Sequence, residues 1–426
     1  MVIHRLSRRF NAPLRAARWT TGIPTGQRCS DLRKRLLIVW SPTFNHGGTI
    51  LFSLKTSDND TSICLDLLRA IAAQMVCIGH GIVFFVPQMR TTHLPIMQTV
   101  GVLLFFILSG FLISATLLER SRDPNYGFLQ YFVERFARIY SGLVPALLFV
   151  AMVDTIASQF VNLQMPSTSY GWRTFVANLM MLEGYRGAFA NHDSMQWPMF
   201  GTAAPLWTLV IEWHIYLFVG AVFFMGARPK TIPFLIPVAV LSGQVPGHYL
   251  FGAMQPDGLG TSLFLVWLGG AYLLLIARKV RPPYWIAVAI SGSALIAYLA
   301  VVRAGTEYRL STYPLLLLFV FGVVTASQQT RIITSPRIVT AIRFFAGYSF
   351  TLYLVHHTVM WVAFQLWPGS GWMVFTALVL LSNSVAAVMA LATEMRHKQL
   401  AALLIGGAAK IGSRSGKKAA LGETGR

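Results

Sequence analysis

Long apolar stretches recur along this 426-residue chain, and they limit its fold more than any other feature. A stretch of about 18 or more apolar residues is long enough to cross a bilayer as a helix. Within lipid, backbone polar groups must bond inside the protein, which favours helices. Only 12% of the residues are charged, about half the fraction found in soluble domains. The sequence therefore predicts an all-α, polytopic bundle of transmembrane helices.

Ten segments have the length and composition of membrane spans. They are residues 64–86, 98–118, 139–160, 206–226, 232–250, 261–277, 284–303, 312–328, 344–366 and 372–393. A further apolar patch, residues 175–182, is too short to span and is predicted to be re-entrant or interfacial.

The distribution of Lys and Arg predicts how these segments are oriented. With both termini inside, the inner loops and tails hold 29 of the 35 basic residues, and the outer side holds five. Cytoplasmic segments of membrane proteins carry this excess of positive charge. An odd number of spans would destroy the asymmetry. We therefore expect ten spans, both termini in the cytoplasm, and a location in the cell inner (plasma) membrane.

The two ends differ from the apolar middle of the chain. Residues 1–57 carry eight Arg and two Lys against one acidic residue, Asp31, and are predicted to form a disordered cytoplasmic extension. This composition also suits a targeting presequence, and a natural start further along the chain is an equal alternative. Residues 401–426 are predicted to be a basic cytoplasmic tail, which leaves residues 58–400 as the transmembrane domain.

A net charge of +20 raises the question of nucleic-acid binding. The basic residues lie between apolar segments and in the tails, however, and do not form one amphipathic face. This pattern indicates contact with anionic membrane lipids and argues against a nucleic-acid partner. Cys29, Cys64 and Cys77 have no spacing typical of a metal site or a disulfide framework. We therefore expect no metal.

Arg69 and His80 stand out in the first predicted span. Placing an ionisable group within a bilayer is costly, so such residues are candidates for function. The two residues are eleven positions apart, about three helical turns and ~16 Å of rise, and they share one helix face. Asp66 precedes Arg69 by three residues and is predicted to pair with it. Alternatively, Arg69 extends to the headgroups and His80 only bonds a neighbouring helix.

Arg135 and Arg138 lie at the predicted cytoplasmic end of the third span. Their i, i+3 spacing puts them on one side of a helix. Anchoring at the inner interface explains them, and so does a phosphate-bearing cytoplasmic ligand, because guanidinium groups bind phosphate bidentately.

Two further spans carry polar stripes. Thr208, Glu212 and Tyr216 recur every four residues on one helix, and Glu212 requires either an Arg partner or a hydrated cavity. Tyr353 and His356, with Ser349, form a second stripe at i, i+4 and i+7, whereas His357 is predicted to point elsewhere. His80, Glu212 and His356 come to similar depths, so we predict that they share a cavity.

These same stretches resemble the acyltransferase-3 family of integral membrane acyltransferases. The resemblance covers about residues 62–400. It rests on five short phrases in order: Asp66, Arg69 and His80; Phe105–Ile113; Arg135–Tyr140; Pro205–Glu212; and Tyr348–His356. A weaker match places Glu394 at the end of the last helix. Trp213, His214 and Arg396 depart from the family pattern, which concerns the substrate more than membership.

The resemblance implies transfer of an acyl group, commonly acetyl, from acyl-CoA to a hydroxyl of a carbohydrate or lipid-linked glycan. Acyl-CoA would be the donor substrate, and His80 would act as general base or would carry the acyl group covalently. The catalytic candidates are His80, Glu212 and His356, and the substrate-binding candidates are Arg69, Ser109, Arg135, Arg138 and Tyr353. A multi-helix transporter with a midplane polar site is the alternative, although no pair of broken helices supports it.

Overall fold

The structure is a computed structural model of the chain. It describes residues 52, 54, 58–89, 93–160, 169–185, 197–368 and 371–406. Most of the N-terminal extension predicted at residues 1–57, and the tail beyond residue 406, lie outside the described residues.

The described residues fold mainly into α-helices, which confirms the predicted all-α class. Their helices are α1 Thr61–Phe85, α2 Met97–Arg120, α3 Phe128–Phe160, α4 Trp172–Leu179, α5 Leu206–Ala227, α6 Ile232–His248, α7 Leu263–Lys279, α8 Tyr284–Val301, α9 Tyr313–Ser327, α10 Pro336–Gly347, α11 Ser349–Leu366 and α12 Gly371–Ala392. Within the described ranges no β-strand forms, and one isolated bridge joins Glu183 to Trp197.

Six of these helices are long and apolar enough to cross a membrane, counting α12 with its continuation to Gly406. A seventh span results if α10 and α11, which meet at 54°, are counted as one broken span. A helix lies at each of the ten predicted segments, but α6, α7 and α9 are short, at 17, 17 and 15 residues. The chain is therefore an integral membrane protein, and the number ten stays a prediction.

The predicted span at residues 344–366 is interrupted at Tyr348, where α10 ends and α11 begins. The Ser349 hydroxyl donates a hydrogen bond to the Ala346 carbonyl across the break. Gly347 is in close contact with Met395, since a Cβ on this glycine would lie 2.9 Å from the Met395 methyl carbon. The bend brings α10 against α1 and the start of α11 toward the segment that follows α12.

Close contact between α2 and α7 anchors the core. A Cβ built on Gly110 would lie 1.9 Å from the Trp267 carbonyl oxygen, and one on Gly270 would lie 2.1 Å from the Ile107 carbonyl oxygen. Only glycine at both positions allows two backbones to approach this closely. The approach lets Trp267 reach Ser109 on α2, which matters for the site described below.

The short helix α4 and the residues after it pack between longer helices. The Tyr140 hydroxyl of α3 donates to the Leu179 carbonyl at 3.0 Å. Tyr185 stacks on His214 of α5 with ring centroids 5.3 Å apart. Asn178 is buried and donates to the Pro198 carbonyl at 3.0 Å. This segment, Trp172–Tyr185, therefore packs on both α3 and α5.

Candidate active site

His80 of α1 and His356 of α11 are in direct contact. Their Nδ1 and Nε2 atoms, respectively, are 3.1 Å apart, and the ring centroids are 5.1 Å apart. His356 is completely buried, whereas His80 is half-buried. The structure thus brings together two of the three predicted catalytic residues from helices that are distant in sequence.

Main-chain carbonyl groups fix the tautomer of each ring. His80 Nδ1 is 3.0 Å from the Val76 carbonyl oxygen, and His356 Nδ1 is 2.9 Å from the Leu352 carbonyl oxygen. A carbonyl oxygen only accepts hydrogen bonds, so each Nδ1 carries the hydrogen. His356 Nε2 then holds a lone pair that accepts from His80 Nδ1–H. His80 Nε2 is left with a free lone pair and no partner among the described residues.

The expectation that His357 points away from the site is wrong. Its ring meets His80 edge to face, with centroids 5.6 Å apart. Successive side chains on a helix differ in direction by ~100°. The ring of His80 nevertheless contacts both His356 and His357 of α11. His357 Nδ1–H donates to the Thr202 carbonyl at 2.8 Å. Nothing in the sequence indicated that His80 of α1 contacts both His356 and His357.

Asp154 holds the backbone that contacts His357. Its carboxylate accepts hydrogen bonds from the Thr202 amide at 2.9 Å and from the Thr202 hydroxyl at 2.8 Å. Asp154 is 1% exposed, and it was not singled out in the sequence. Its side chain lies so close to Gly201 that a Cβ there would be 2.1 Å from the carboxylate. Asp154 therefore fixes the loop that orients His357.

A cavity of about 1200 Å³ opens beside this region and is rich in basic side chains. The residues that line it come from α1, α2, α3, α5, α10 and α11 and from the segment that follows α12. Its basic side chains are Arg69, Arg120, Arg135, Arg138, Arg343, His397 and Lys398, and its acidic ones are Asp66, Glu134 and Glu212. The balance of charge favours an anionic ligand.

The three predicted arginines all line this cavity, and they differ in their partners. Arg69 pairs with Asp66 at 3.1 Å, which confirms that predicted pair. Arg138 pairs with the fully buried Glu394 at 3.1 Å. Arg135 keeps a buried Nε with no hydrogen-bond partner among the described residues. Arg135 also forms no ion pair among the described residues, and an unpaired guanidinium group that lines a cavity suits a phosphate group.

Glu212 lines the same cavity and is held by hydroxyl groups. Tyr216 donates a hydrogen bond to the Glu212 carboxylate. The Ser109 and Tyr216 hydroxyl oxygens are 2.9 Å apart, and the Trp267 indole donates to Ser109 at 3.1 Å. Within the described ranges Glu212 forms no ion pair. The alternative of pairing with an Arg is therefore replaced by a hydroxyl chain that ends on the carboxylate.

Tyr353 lies between Glu212 and His356. With Glu212 and Thr208 it lines a small cavity of about 40 Å³, and its hydroxyl is 2.5 Å from the Thr208 hydroxyl. Its ring centroid is 6.1 Å from that of His356. Neither of these two cavities is lined by His80 or His356. Tyr353 therefore contacts both the cavity at Glu212 and the histidine pair, and the shared cavity stays a prediction.

The fold and site together define an integral membrane protein with a polar, partly cationic interior. A comparison with family models then identifies the type. Residues 62–391 match the acyltransferase-3 model, described as an acyltransferase domain. The chain belongs to the acyltransferase-3 family and is a membrane acyltransferase.

One curated relative illustrates the likeness. The chain is 27% identical over 288 residues to the peptidoglycan O-acetyltransferase OatA of Listeria monocytogenes. This match covers 61% of the chain but 44% of the relative, so the chain spans less than half of that protein's length. No solved structure shows a significant match.

Proposed function

We propose that this protein transfers an acetyl group from acetyl-CoA to a hydroxyl of a glycan acceptor, with His80 as the general base. The observation that carries this proposal is the His80–His356 contact, at 3.1 Å. It leaves His80 Nε2 as a nitrogen with a free lone pair, which a general base requires. Family membership supports acyl transfer, and the relative named for peptidoglycan suggests a glycan as the acceptor.

The basic cavity is the proposed site for the donor. Acyl-CoA carries several phosphate charges and a flexible thiol arm, and it needs a cationic site connected to an apolar one. Arg69, Arg135 and Arg138 supply guanidinium groups around about 1200 Å³ of space. The apolar side chains of Phe105 and Leu108 line the same cavity. The thioester would extend past Ser109 and Glu212 toward Tyr353.

The chemical step balances without an additional reactant. His80 Nε2 takes the proton from the acceptor hydroxyl while the hydroxyl oxygen attacks the thioester carbonyl carbon. The carbon–sulfur bond then breaks, and the proton passes from His80 to the departing thiolate. The products are the ester and free CoA. While His80 is positively charged, its Nδ1–H donates to His356 Nε2, so His356 stabilises the imidazolium and preserves the tautomer.

We further propose that the protein crosses the inner membrane ten times, with both termini in the cytoplasm. The basic residues around the cavity, such as Arg120, Arg343 and Lys398, belong to segments predicted to be inside. His80 lies five residues before the C-terminal end of α1, toward the other side. In this arrangement the donor enters from the cytoplasm, and the acceptor reaches His80 from outside.

The decisive experiment is transfer from labelled acetyl-CoA in membranes that contain the protein. We expect His80→Ala to lower incorporation into the glycan fraction by roughly 10²–10⁴-fold, the usual contribution of a general base. His248→Ala is the matched control, because His248 is exposed at the end of α6 and lines neither cavity. Unchanged transfer in His80→Ala at normal protein levels would contradict the assignment.

A second experiment separates the general base from a covalent carrier. If His80 Nε2 carried the acetyl group, rapid acid quenching would leave label on the protein, and hydroxylamine would release it. We expect no label on the wild-type protein above that on His80→Ala. Stoichiometric, His80-dependent label would instead establish an acyl-histidine intermediate.

A further inference from the structure

Four ring side chains form a continuous surface next to His80. We call Phe84, His357, Trp361 and Phe364 the aromatic platform. Trp361 stacks on His357 with ring planes 10° apart and centroids at 6.1 Å. Phe84 lies one helical turn beyond His80 and contacts His357, Trp361 and Phe364 at centroid distances of 5.7, 5.8 and 5.3 Å.

All members of the platform are half-buried, so their faces are not fully covered by the protein. Phe84 and Trp361 lie near the C-terminal ends of α1 and α11, one and five residues, respectively, from the last helical position. At 1.5 Å per residue, both lie within ~8 Å of the helix end. These two members therefore lie in the last turns of their helices, whereas His357 lies deeper, nine residues before the end of α11.

Two unsatisfied nitrogens distinguish this surface from a lipid-facing belt. His80 and His357 each use Nδ1–H on a main-chain carbonyl. Both Nε2 atoms lack a hydrogen-bond partner among the described residues, and neither is among the buried unpaired polar atoms there. Hydrocarbon chains cannot satisfy such acceptors. A ligand with hydroxyl groups and an apolar face satisfies the nitrogens and the rings together.

We propose that the aromatic platform is the subsite for the sugar ring of the acceptor, with Trp361 stacked on a pyranose face and His357 Nε2 accepting a hydrogen bond from a second hydroxyl. This inference rests on the proposed acetyl transfer to a glycan and adds where the acceptor ring binds. His80 takes the proton from the reacting hydroxyl, and the platform presents that hydroxyl to His80. Trp361 and His357 thereby determine acceptor use without taking part in donor binding.

The test compares two fates of the acetyl group in membranes that hold their own glycan acceptor. Labelled acetyl-CoA is supplied, and label is counted both in the glycan fraction and as free acetate, with His80→Ala membranes as the background. We expect Trp361→Ala to lower glycan labelling by roughly tenfold, the effect of losing one ring contact. His80-dependent hydrolysis should remain within about twofold of wild type, because water needs no platform.

Two further variants keep the test sharp if Trp361→Ala folds poorly. Trp361→Phe retains a ring and should keep glycan labelling within about threefold of wild type. Trp372→Ala is the matched control, because Trp372 lies at the adjacent start of α12, is 54% exposed and packs only on Phe375 among the described aromatic rings. It should leave both readouts unchanged.

The outcomes distinguish this inference from the proposed function. If wild-type membranes label no glycan above the His80→Ala background, the acetyl transfer itself is wrong, and the subsite falls with it. If wild type labels glycan but Trp361→Ala loses no more labelling than Trp372→Ala, only the subsite is wrong. A parallel loss of labelling and hydrolysis in both Trp361 variants, at normal protein level, would assign Trp361 to the donor or the fold and overturn the inference.

Discussion

The reactivity proposed for His80 depends on a carbonyl oxygen one helical turn earlier. In an α-helix the carbonyl at i−4 usually accepts a backbone amide, and here the Val76 carbonyl also lies 3.0 Å from His80 Nδ1. His356 repeats the arrangement with Leu352. With a hydrogen on each Nδ1, the hydrogen bond between the rings has one direction: His80 Nδ1–H donates and His356 Nε2 accepts. His356 is thus a positioning residue, and His80 is the group that meets substrate.

Replacing His356 tests that division of roles. We expect His356→Ala to lower kcat for acetyl transfer by roughly 10–100-fold, because a hydrogen bond to a charged ring contributes about 1.5–3 kcal/mol. The KM for acetyl-CoA should stay within about twofold of wild type, since His356 does not line the donor cavity. His356→Gln, whose amide oxygen can accept from His80, should recover part of kcat. A rise in KM without a fall in kcat would instead place His356 in donor binding.

A buried carboxyl group between α4 and α5 gives a second prediction at this scale. Glu183 is 8% exposed, and one of its oxygens has no partner among the described residues. Burial raises the pKa of Glu183 to about 8. The folded protein therefore holds this proton over a pH range, from about 4.5 to about 8, in which the unfolded chain has lost it. Its contribution to stability must fall as pH rises through that range and be fully lost above it.

Glu183→Gln removes this titration while keeping a similar shape. The melting temperature of the purified wild type should therefore fall more between pH 6 and pH 9 than that of the variant, as measured by thermal unfolding in detergent. The control is Glu119→Gln, because Glu119 is exposed at the end of α2. Equal pH slopes for wild type and Glu183→Gln would show that Glu183 is already ionised in the folded state.

Residue spacing predicted part of the site, and partners distant in sequence account for the rest. Asp66 and Arg69 pair as their i, i+3 spacing indicates, because both residues belong to one helix. The prediction that His357 points away from the site was wrong, because its surroundings depend on how α1 packs against α11. The partner of Arg138 is Glu394, more than 250 residues away, and no spacing or motif relates the two residues. Residue spacing predicts which side chains share a face of one helix. Contacts between helices depend on how the helices pack, which the spacing does not predict.

The crossing of α2 and α7 connects helix packing to the site. Gly110 and Gly270 let the two backbones touch. Ser109, which neighbours Gly110, accepts a hydrogen bond from Trp267 and continues it through Tyr216 to Glu212. A change of separation between these helices is thus transmitted to the carboxylate that lines the donor cavity.

Gly110→Ala should separate α2 from α7, because the added Cβ would lie 1.9 Å from the Trp267 carbonyl oxygen. We expect a lower melting temperature and a loss of acetyl transfer, with a destabilisation on the order of 1–3 kcal/mol from overpacking. Gly292→Ala on α8 is the matched control, since a Cβ there meets nothing within 4 Å. Equal stability of the two variants would contradict the close crossing.

Glu394, in the segment that follows α12, connects α3 to the start of α11 through an ion pair and two hydrogen bonds. Glu394 is fully buried, contacts Arg138 at 3.1 Å, and accepts hydrogen bonds from the Thr351 amide at 2.9 Å and hydroxyl at 2.8 Å. Removing one partner of such a pair costs about 3–5 kcal/mol. Glu394→Ala should therefore lower the unfolding temperature strongly, and Glu394→Gln less, because the amide oxygen can still accept from Thr351. No difference between the two would show that charge alone matters.

The topology of the whole molecule depends on the number of membrane spans. The described residues hold six or seven helices that meet the length and hydropathy of a span. The distribution of Lys and Arg indicates that both ends face the cytoplasm. This placement requires an even number of spans. The critical element is α9, Tyr313–Ser327, because at 15 residues it rises only ~22 Å, less than the ~30 Å of hydrocarbon in a typical bilayer.

Labelling of single cysteines on either side of α9 decides whether it crosses. In a variant without Cys29, Cys64 and Cys77, Arg309→Cys should react with a membrane-impermeant maleimide in intact cells. Thr334→Cys should react only after permeabilisation, and both positions are exposed in the fold. Polar residues at the ends of α9 and local thinning of the bilayer accommodate a short span. If both cysteines reacted in intact cells, α9 would not cross, the count would become odd, and the termini would lie on opposite sides of the membrane.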